Sequence, residues 1–362
     1  MHKSIVITGG HAATSALSLI LELKKRNPEY KLFFIGNKYA LEGKKNLTLE
    51  AKIIPKQGVK FFHLTTGKLQ KKITIWTAIS LLRIPLDFIR AIPLLLKTHP
   101  DVIISFGGYV SVPIVILGKL FRTPILIHEQ IPSGGNANRF LARFADKVAI
   151  SFPSSASYFP KNKVILTGIP ILPDILKVPP KIPTSTPTIF FTGGSRGSQR
   201  LNKVIDESLV DILKNFRLIH LTGEIDYQLF KSRKSRLPTN LSNNYTIYAY
   251  FDPTQIHKLY AKADIVISRG GAHTVTEIAA TRRPSIIIPI PWSYMNEQTL
   301  NAKWLEDAGL ATILQENDLS RENLILAIQN TLRNWKTMSK ASPGLQLQGA
   351  TRLADLIESY IQ

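Results

Sequence analysis

Two doubly wound α/β domains facing a central cleft is the architecture this sequence predicts, and three observations predict it. Apolar runs of strand length alternate with helix-length amphipathic stretches, in two successive series. A proline-rich stretch separates the series. The length, 362 residues, suits two domains at about 150 residues each. Strands alternating with helices imply parallel sheets joined by right-handed crossovers.

The first series comprises 4–8 (SIVIT), 31–35 (KLFFI), 102–106 (VIISF), 124–128 (PILIH) and 146–151 (DKVAIS), with helical spacing over 15–26 filling the first crossover. The second comprises 188–192 (TIFFT), 217–221 (RLIHL), 246–250 (TIYAY), 264–268 (DIVIS) and 285–289 (SIIIP). Between them Pro170, Pro173, Pro179, Pro180, Pro183 and Pro187 forbid a continuous helix or central strand, so 171–187 reads as an interdomain linker. The domains are expected at 1–170 and 188–337. The stretch 338–362, helical over 350–361, is expected to rejoin the first. The N-terminus reads as a buried strand entering a glycine turn, without the long apolar core of a signal peptide. The longest uncharged run, 102–118, is short for a membrane span and holds Gly107, Gly108 and Pro113.

A hydrophobic content of 44% is that of a globular chain, not a disordered basic tail. The absence of Cys rules out a disulfide framework and any thiolate metal site. No D-x-D triplet occurs, so no metal and no cofactor is expected. The formal charge is +21, of which +16 falls in residues 1–172. Such an excess points to nucleic acid, an anionic membrane or a phosphorylated substrate. Nucleic acid is excluded, because aromatic RNA-binding patterns, zinc spacing and a contiguous basic arm are all missing.

Four turns share one design, an apolar strand, a glycine pair and a helix start. They are Thr8-Gly9-Gly10-His11, Phe106-Gly107-Gly108-Tyr109, Thr192-Gly193-Gly194-Ser195-Arg196-Gly197 and Arg269-Gly270-Gly271-Ala272-His273-Thr274. Glycine permits a sharp turn and close approach to a ligand, and the helix N-terminus behind it attracts anions. Four such turns over both halves suit diphosphates at the carboxyl ends of the strands. None matches the dinucleotide fingerprint or the P-loop, which argues against redox and NTPase chemistry. Glu277, in a first helical turn, either stabilises that helix or accepts from ribose hydroxyls. The amides of 296–302, Gln298 among them, form a solvated face or read sugar hydroxyls.

Segment 73–97 carries Thr77, Ser80, Arg83, Asp87, Arg90 and Lys97 along one helical stripe. Ile75, Ile79, Leu82, Leu86 and Ile89 lie along another, with Trp76 near the start. Pro85 and Pro93 are expected to divide or bend it, and Lys68, Lys71 and Lys72 lie upstream. The segment reads as an interfacial element on an anionic membrane, or as an ordinary helix with a solvated face.

Taken in order, TGGH (8–11), FGGYVSVP (106–113), HEQ (128–130), GGSRGS (193–198), RGGAHTVTEIA (269–279) and NEQxxNA (296–302) resemble the undecaprenyldiphospho-muramoylpentapeptide β-N-acetylglucosaminyltransferases, the MurG family of glycosyltransferase family 28. The resemblance spans roughly 5–335, and the 269–302 block is its most specific part. It implies a GT-B fold with the active site between two Rossmann-like domains. It also implies inverting transfer of GlcNAc from UDP-GlcNAc to lipid I, the muramoyl-pentapeptide diphospholipid, to give lipid II. By the same resemblance Ser195 faces the UDP diphosphate and Phe251 meets the uracil. The charge of the leaving diphosphate is expected to be held with help from Arg196, where the family usually has Gln, or from Arg269. Ala272, His273 and Thr274 run along the nucleotide, Glu277 takes the ribose and Gln298 the GlcNAc. Thr8, Gly9, Gly10, Gly107, Gly108, Tyr109 and Asn138 receive the acceptor and its diphosphate.

His11 is the candidate base, with an ordinary pKa of ~6.5, and Glu129 the alternative. The resemblance places the protein peripherally on the cytoplasmic face of the bacterial plasma membrane, with cell-wall synthesis or division proteins as partners. The sequence departs from the family pattern at Ile131, where an Asn is usual, and at Ile169 and Leu172, where an Asn and an Arg are usual. The alternatives are another GT-B enzyme with a lipid acceptor, or a catalytically weak relative that only binds membrane and partners.

Overall fold

The computed structural model describes residues 2–10, 12–39, 47–66, 75–194, 197–341, 344 and 346–361, and of 75–84 the backbone alone. The chain divides into two compact units. One is Met1–Ile171 with Gln346–Gln362, the other Leu172–Leu345.

Seven parallel strands carry the first unit: β1 (Ser4–Thr8), β2 (Lys31–Gly36), β3 (Lys60–His63), β4 (Val102–Ser105), β5 (Ile125–Glu129), β6 (Lys147–Ile150) and β7 (Val164–Leu166), in the order β3-β2-β1-β4-β5-β6-β7. Six carry the second: β8 (Thr188–Thr192), β9 (Arg217–Leu221), β10 (Tyr245–Tyr248), β11 (Ile265–Ser268), β12 (Ser285–Ile287) and β13 (Ala311–Ile313), in the order β10-β9-β8-β11-β12-β13. Ile5, Val6, Ile7, Ile103 and Ile104 are wholly buried, as strands covered on both faces must be. Each such side chain contributes about 1.5–3 kcal/mol. The unforeseen strands β3, β7 and β13 all lie at sheet edges. Edge strands are partly exposed, so short mixed sequences such as KFFH carry no continuous apolar signal.

In each sheet the strand order reverses beside the unit's first strand. β1 lies between β2 and β4, and β8 between β9 and β11. Connections leave such a switch point toward opposite faces and open a crevice at the carboxyl ends. Helix Gln199–Asn215 shows how a crossover is held: Leu201, Val204, Ile205, Leu209, Ile212 and Leu213 are buried along one stripe.

The proline-rich stretch runs along the second unit. Ile175 is buried in the short helix Pro173–Leu176. The buried Arg283 donates to the carbonyls of Tyr260 (3.0 Å), Thr281 (2.7 Å) and Pro179 (2.9 Å). The chain rejoins the first unit at Gln346, later than the expected 338, because Trp335 Nε1 donates to the Asp264 carbonyl (2.8 Å) and Met338 is buried. Helix Gly349–Glu358 then packs on helix Ala13–Arg26, where Arg26 pairs with Asp355 and Glu358, each at 2.7 Å.

Helix Ile75–Thr98 runs through both prolines without being divided by them. Its polar stripe differs from expectation, since Asp87 is 5% exposed. Ala91 and Leu95, one and two turns on, pack into the core and turn Asp87 inward with them. Leu86 (46%), Ile89 (61%), Ile92 and Leu96 are exposed beside Arg90 and Lys97. Lys68, Lys71 and Lys72 lie outside the described residues, among which no helix is long and apolar enough to cross a membrane.

Candidate active site

All four glycine turns fall at the two switch points. In the first unit β1 and β4 are neighbours, with Thr8 opposite Ser105. Phe106 N donates to the Thr8 carbonyl (2.8 Å) and Gly10 N to that of Gly107 (3.0 Å). Gly107 and Gly108 are left-handed, at φ +85° and +86°, and a Cβ on Gly108 would lie 3.2 Å from Gly10 N. The turns interlock at a spacing only glycine permits. Helix Ser111–Leu120 starts directly behind them, where Ser111 N donates to the Gly108 carbonyl (3.1 Å) and Val112 N to that of Tyr109 (3.2 Å). Thr8 is wholly buried, and its Oγ1 has no hydrogen-bond partner among the described residues. Tyr109 is 42% exposed at the rim.

Glu129 ends β5, 3% exposed. It accepts from Ile131 N (2.9 Å), Gly135 N (2.8 Å) and Asn138 Nδ2 (3.0 Å). Both oxygens are thus committed to organising 131–138. Ile131 reaches this carboxylate through its backbone, so the loop closes without the usual Asn. Asn138 Oδ1 is buried against Gly107, without a hydrogen-bond partner among the described residues. His128 Nε2 meets the Gly168 carbonyl at 3.0 Å. Burial brings its pKa down to about 4, so it is a neutral brace near pH 7. Ile169 and Leu172 are buried aliphatics.

In the second unit Thr192, ending β8, lies opposite Ser268, ending β11. A Cβ on Gly193 would lie 2.5 Å from Ser198 N, and one on Gly197 2.3 Å from the Thr222 carbonyl. A Cβ on Gly270 would lie 2.4 Å from the Gln298 carbonyl. Helix Ala272–Thr281 begins after Gly271, so Ala272, His273 and Thr274 form its first turn at this crevice. Asn301 Nδ2 donates to the Gly270 carbonyl (2.9 Å), and Gln298 Oε1 accepts from Ile290 N (3.1 Å). Phe251 follows β10, half-buried and edge-on to Tyr248 with ring centroids 5.0 Å apart.

Glu277 is 9% exposed, and its Oε2 accepts from the Tyr260 hydroxyl at 3.0 Å. Burial raises its pKa to about 7, and the Tyr260 bond opposes that rise. Arg269 was expected at the diphosphate. Its guanidinium is buried, paired with Glu316 and donating to the Ile288 carbonyl (3.1 Å) and Ser198 Oγ (3.0 Å). Burial lowers its pKa, and Glu316 opposes that. His11, Ser195 and Arg196 lie outside the described residues. Sequence reasoning missed Tyr260 and Glu316, which stand 17 and 47 residues from their partners and carry no local motif.

Two parallel sheets with glycine-lined switch points define the GT-B glycosyltransferase fold. MurG from Acinetobacter baumannii shares it at TM-score 0.68 and 24% identity, over 99% of both chains. A UDP-GlcNAc 2-epimerase from Neisseria meningitidis, bound to UDP-GlcNAc, shares it at TM-score 0.66 and 13% identity, over 99% of this chain and 100% of that one. Residues 6–150 match the glycosyltransferase family 28 N-terminal domain and 188–357 the family 28 C-terminal domain. The chain is 32% identical over 341 residues to the UDP-N-acetylglucosamine--N-acetylmuramyl-(pentapeptide) pyrophosphoryl-undecaprenol N-acetylglucosamine transferase of Bacillus cytotoxicus, covering 91% of this chain and 90% of that protein. It is 33% identical over 366 residues to the protein of the same name from Desulforamulus reducens, covering 97% and 95%. The chain belongs to glycosyltransferase family 28.

Proposed function

We propose that this glycosyltransferase moves GlcNAc from UDP-GlcNAc to lipid I with inversion, making lipid II for peptidoglycan synthesis. The observation that carries the reading is the glycine-lined crevice of the second unit, with Glu277 in the helix behind it, in a chain whose full-length relatives are named for this transfer. The N–H groups after Gly271 suit the nucleotide, and the ionised Glu277 can accept from ribose hydroxyls. Phe251 suits the uracil and Gln298 the sugar.

In the first unit Thr8 Oγ1, without a partner among the described residues, can donate to an acceptor phosphate. Asn138 Oδ1 can only accept, so it fits a sugar hydroxyl or amide N–H rather than the diphosphate. The acceptor hydroxyl oxygen attacks C1 of GlcNAc while the bond from C1 to the UDP oxygen breaks. The electron pair leaves with UDP, and the hydroxyl proton passes to a base. His11 is the base in this reading, because Glu129 already serves three donors. UDP-GlcNAc turnover with a lipid I analogue, run beside His11→Ala and Glu277→Ala, tests the assignment. Turnover unchanged in Glu277→Ala would remove the donor site from this crevice.

The exposed Leu86, Ile89, Ile92 and Leu96, beside Arg90 and Lys97, support peripheral docking on the anionic cytoplasmic face of the plasma membrane. Leu120 and Phe121 end a helix packed on the same core. Roles in cell shape, division and the cell cycle follow from the product, lipid II.

A further inference from the structure

A serine at a helix N-cap ordinarily turns its hydroxyl inward to accept from the N–H two or three residues on. Ser198 occupies the N-cap of helix Gln199–Asn215, yet its side chain makes no capping bond. Its Oγ accepts instead from Arg269 Nη2 at 3.0 Å. The same guanidinium is fixed by Glu316, 2% exposed, and by the Ile288 carbonyl. Glu316 in turn reaches the first turn of that helix, where Arg200 Nε lies 3.1 Å from its Oε1 and Arg200 Nη2 donates to its carbonyl at 3.2 Å. Arg269 opens the glycine turn after β11, and Ser198 closes the one after β8. One ion cluster, buried at Arg269 and Glu316 and exposed at Arg200, therefore spans the switch point and links the residues that open one glycine turn and close the other.

The geometry points to Arg269 as a positioning residue that withholds the Ser198 hydroxyl from its own helix and so leaves the first-turn N–H groups open for the donor diphosphate. The inference rests on the donor-site reading above and adds to it the residue that prepares the phosphate end. Because Ser198 Oγ serves as acceptor to Arg269, its own hydroxyl proton stays available to a phosphate oxygen. Arg269 itself is 7% exposed and its guanidinium is held by Glu316, the Ile288 carbonyl and Ser198, so it acts through Ser198 rather than on the ligand.

The test compares UDP with uridine, by calorimetric titration and by competition, in the full-length protein and in Arg269→Lys, Ser198→Ala and the double variant. Lysine keeps a charge beside Glu316 but cannot also reach Ser198 and the Ile288 carbonyl. Arg269→Lys is expected to weaken UDP about five- to tenfold, as regaining a cap would, with uridine affinity unchanged. In the Ser198→Ala background, where no hydroxyl can cap, the same change is expected to have no further effect on UDP. If Arg269→Lys fails to fold, Glu316→Gln loosens the same guanidinium and carries the same comparison. Equal losses for UDP and uridine, or losses that multiply in the double variant, overturn the positioning role alone. If the wild type does not bind UDP, or Glu277→Ala leaves its affinity unchanged, the donor-site reading falls and this inference with it.

Discussion

Glu277→Gln separates what the donor site needs from what the fold prefers. The carboxyl is 9% exposed, and its pKa is raised from 4.5 to about 7, chiefly by burial. The native state therefore holds its proton after the unfolded chain has released it. Stability falls as pH rises from about 4.5 to about 7 and is then flat. At 1.36 kcal/mol for each tenfold change in proton affinity, the loss above pH 7 is about 3 kcal/mol, an upper value because water near the carboxyl would screen it. Glutamine stays neutral and still offers an oxygen to the Tyr260 hydroxyl. The variant should match the wild type within about 1 kcal/mol near pH 5 and exceed it in stability near pH 8.5. For a unit of this size that corresponds to a rise in melting temperature of up to about 10 °C. The assay is thermal unfolding followed by circular dichroism at both pH values. UDP titrations should show the reverse preference, with wild-type affinity rising through pH 7 as the carboxylate ionises, and the variant weaker and flat. A melting difference that is the same at both pH values, or a wild type that is the more stable near pH 8.5, would refute the reasoning.

Gly270→Ala drives a methyl to 2.4 Å from the Gln298 carbonyl. It should destabilise the second unit by about 1–3 kcal/mol and weaken UDP, read by melting and titration on the same sample. Leu86→Glu with Ile89→Glu places two charges on an exposed apolar face. It should abolish sedimentation with anionic vesicles while leaving the melting temperature within a degree or two, and wild-type binding should itself fall steeply with salt. Glu129→Gln keeps one acceptor oxygen but loses the second. It should raise KM for the lipid acceptor several-fold with a modest fall in kcat, whereas loss of a base would lower kcat by about 10²–10⁴ at unchanged KM.

The glycine turns show how far local sequence reaches. Each was readable because a buried parallel strand, a sharp turn and a helix start are all local, and their residue types follow from backbone sterics. That all four flank the reversals in strand order was not readable, since β1 meets β4 across a gap longer than the whole of helix Ile75–Thr98 and its flanks. Asp87 shows the same limit on one helix. Its stripe mates by spacing are polar, but the core around Ala91 and Leu95 decides which stripe turns inward.

By itself the sequence determined the α/β class, the two series of strands, the glycine turns and the family, because each is written in contiguous residues or in their order. Only the tertiary structure decided what the charged groups do. It buried Arg269 beside Glu316, gave Glu129 three donors to hold, and raised the pKa of the Glu277 carboxyl by burial. Burial and distant partners set the behaviour of an ionisable group, and neither is encoded beside it in the chain.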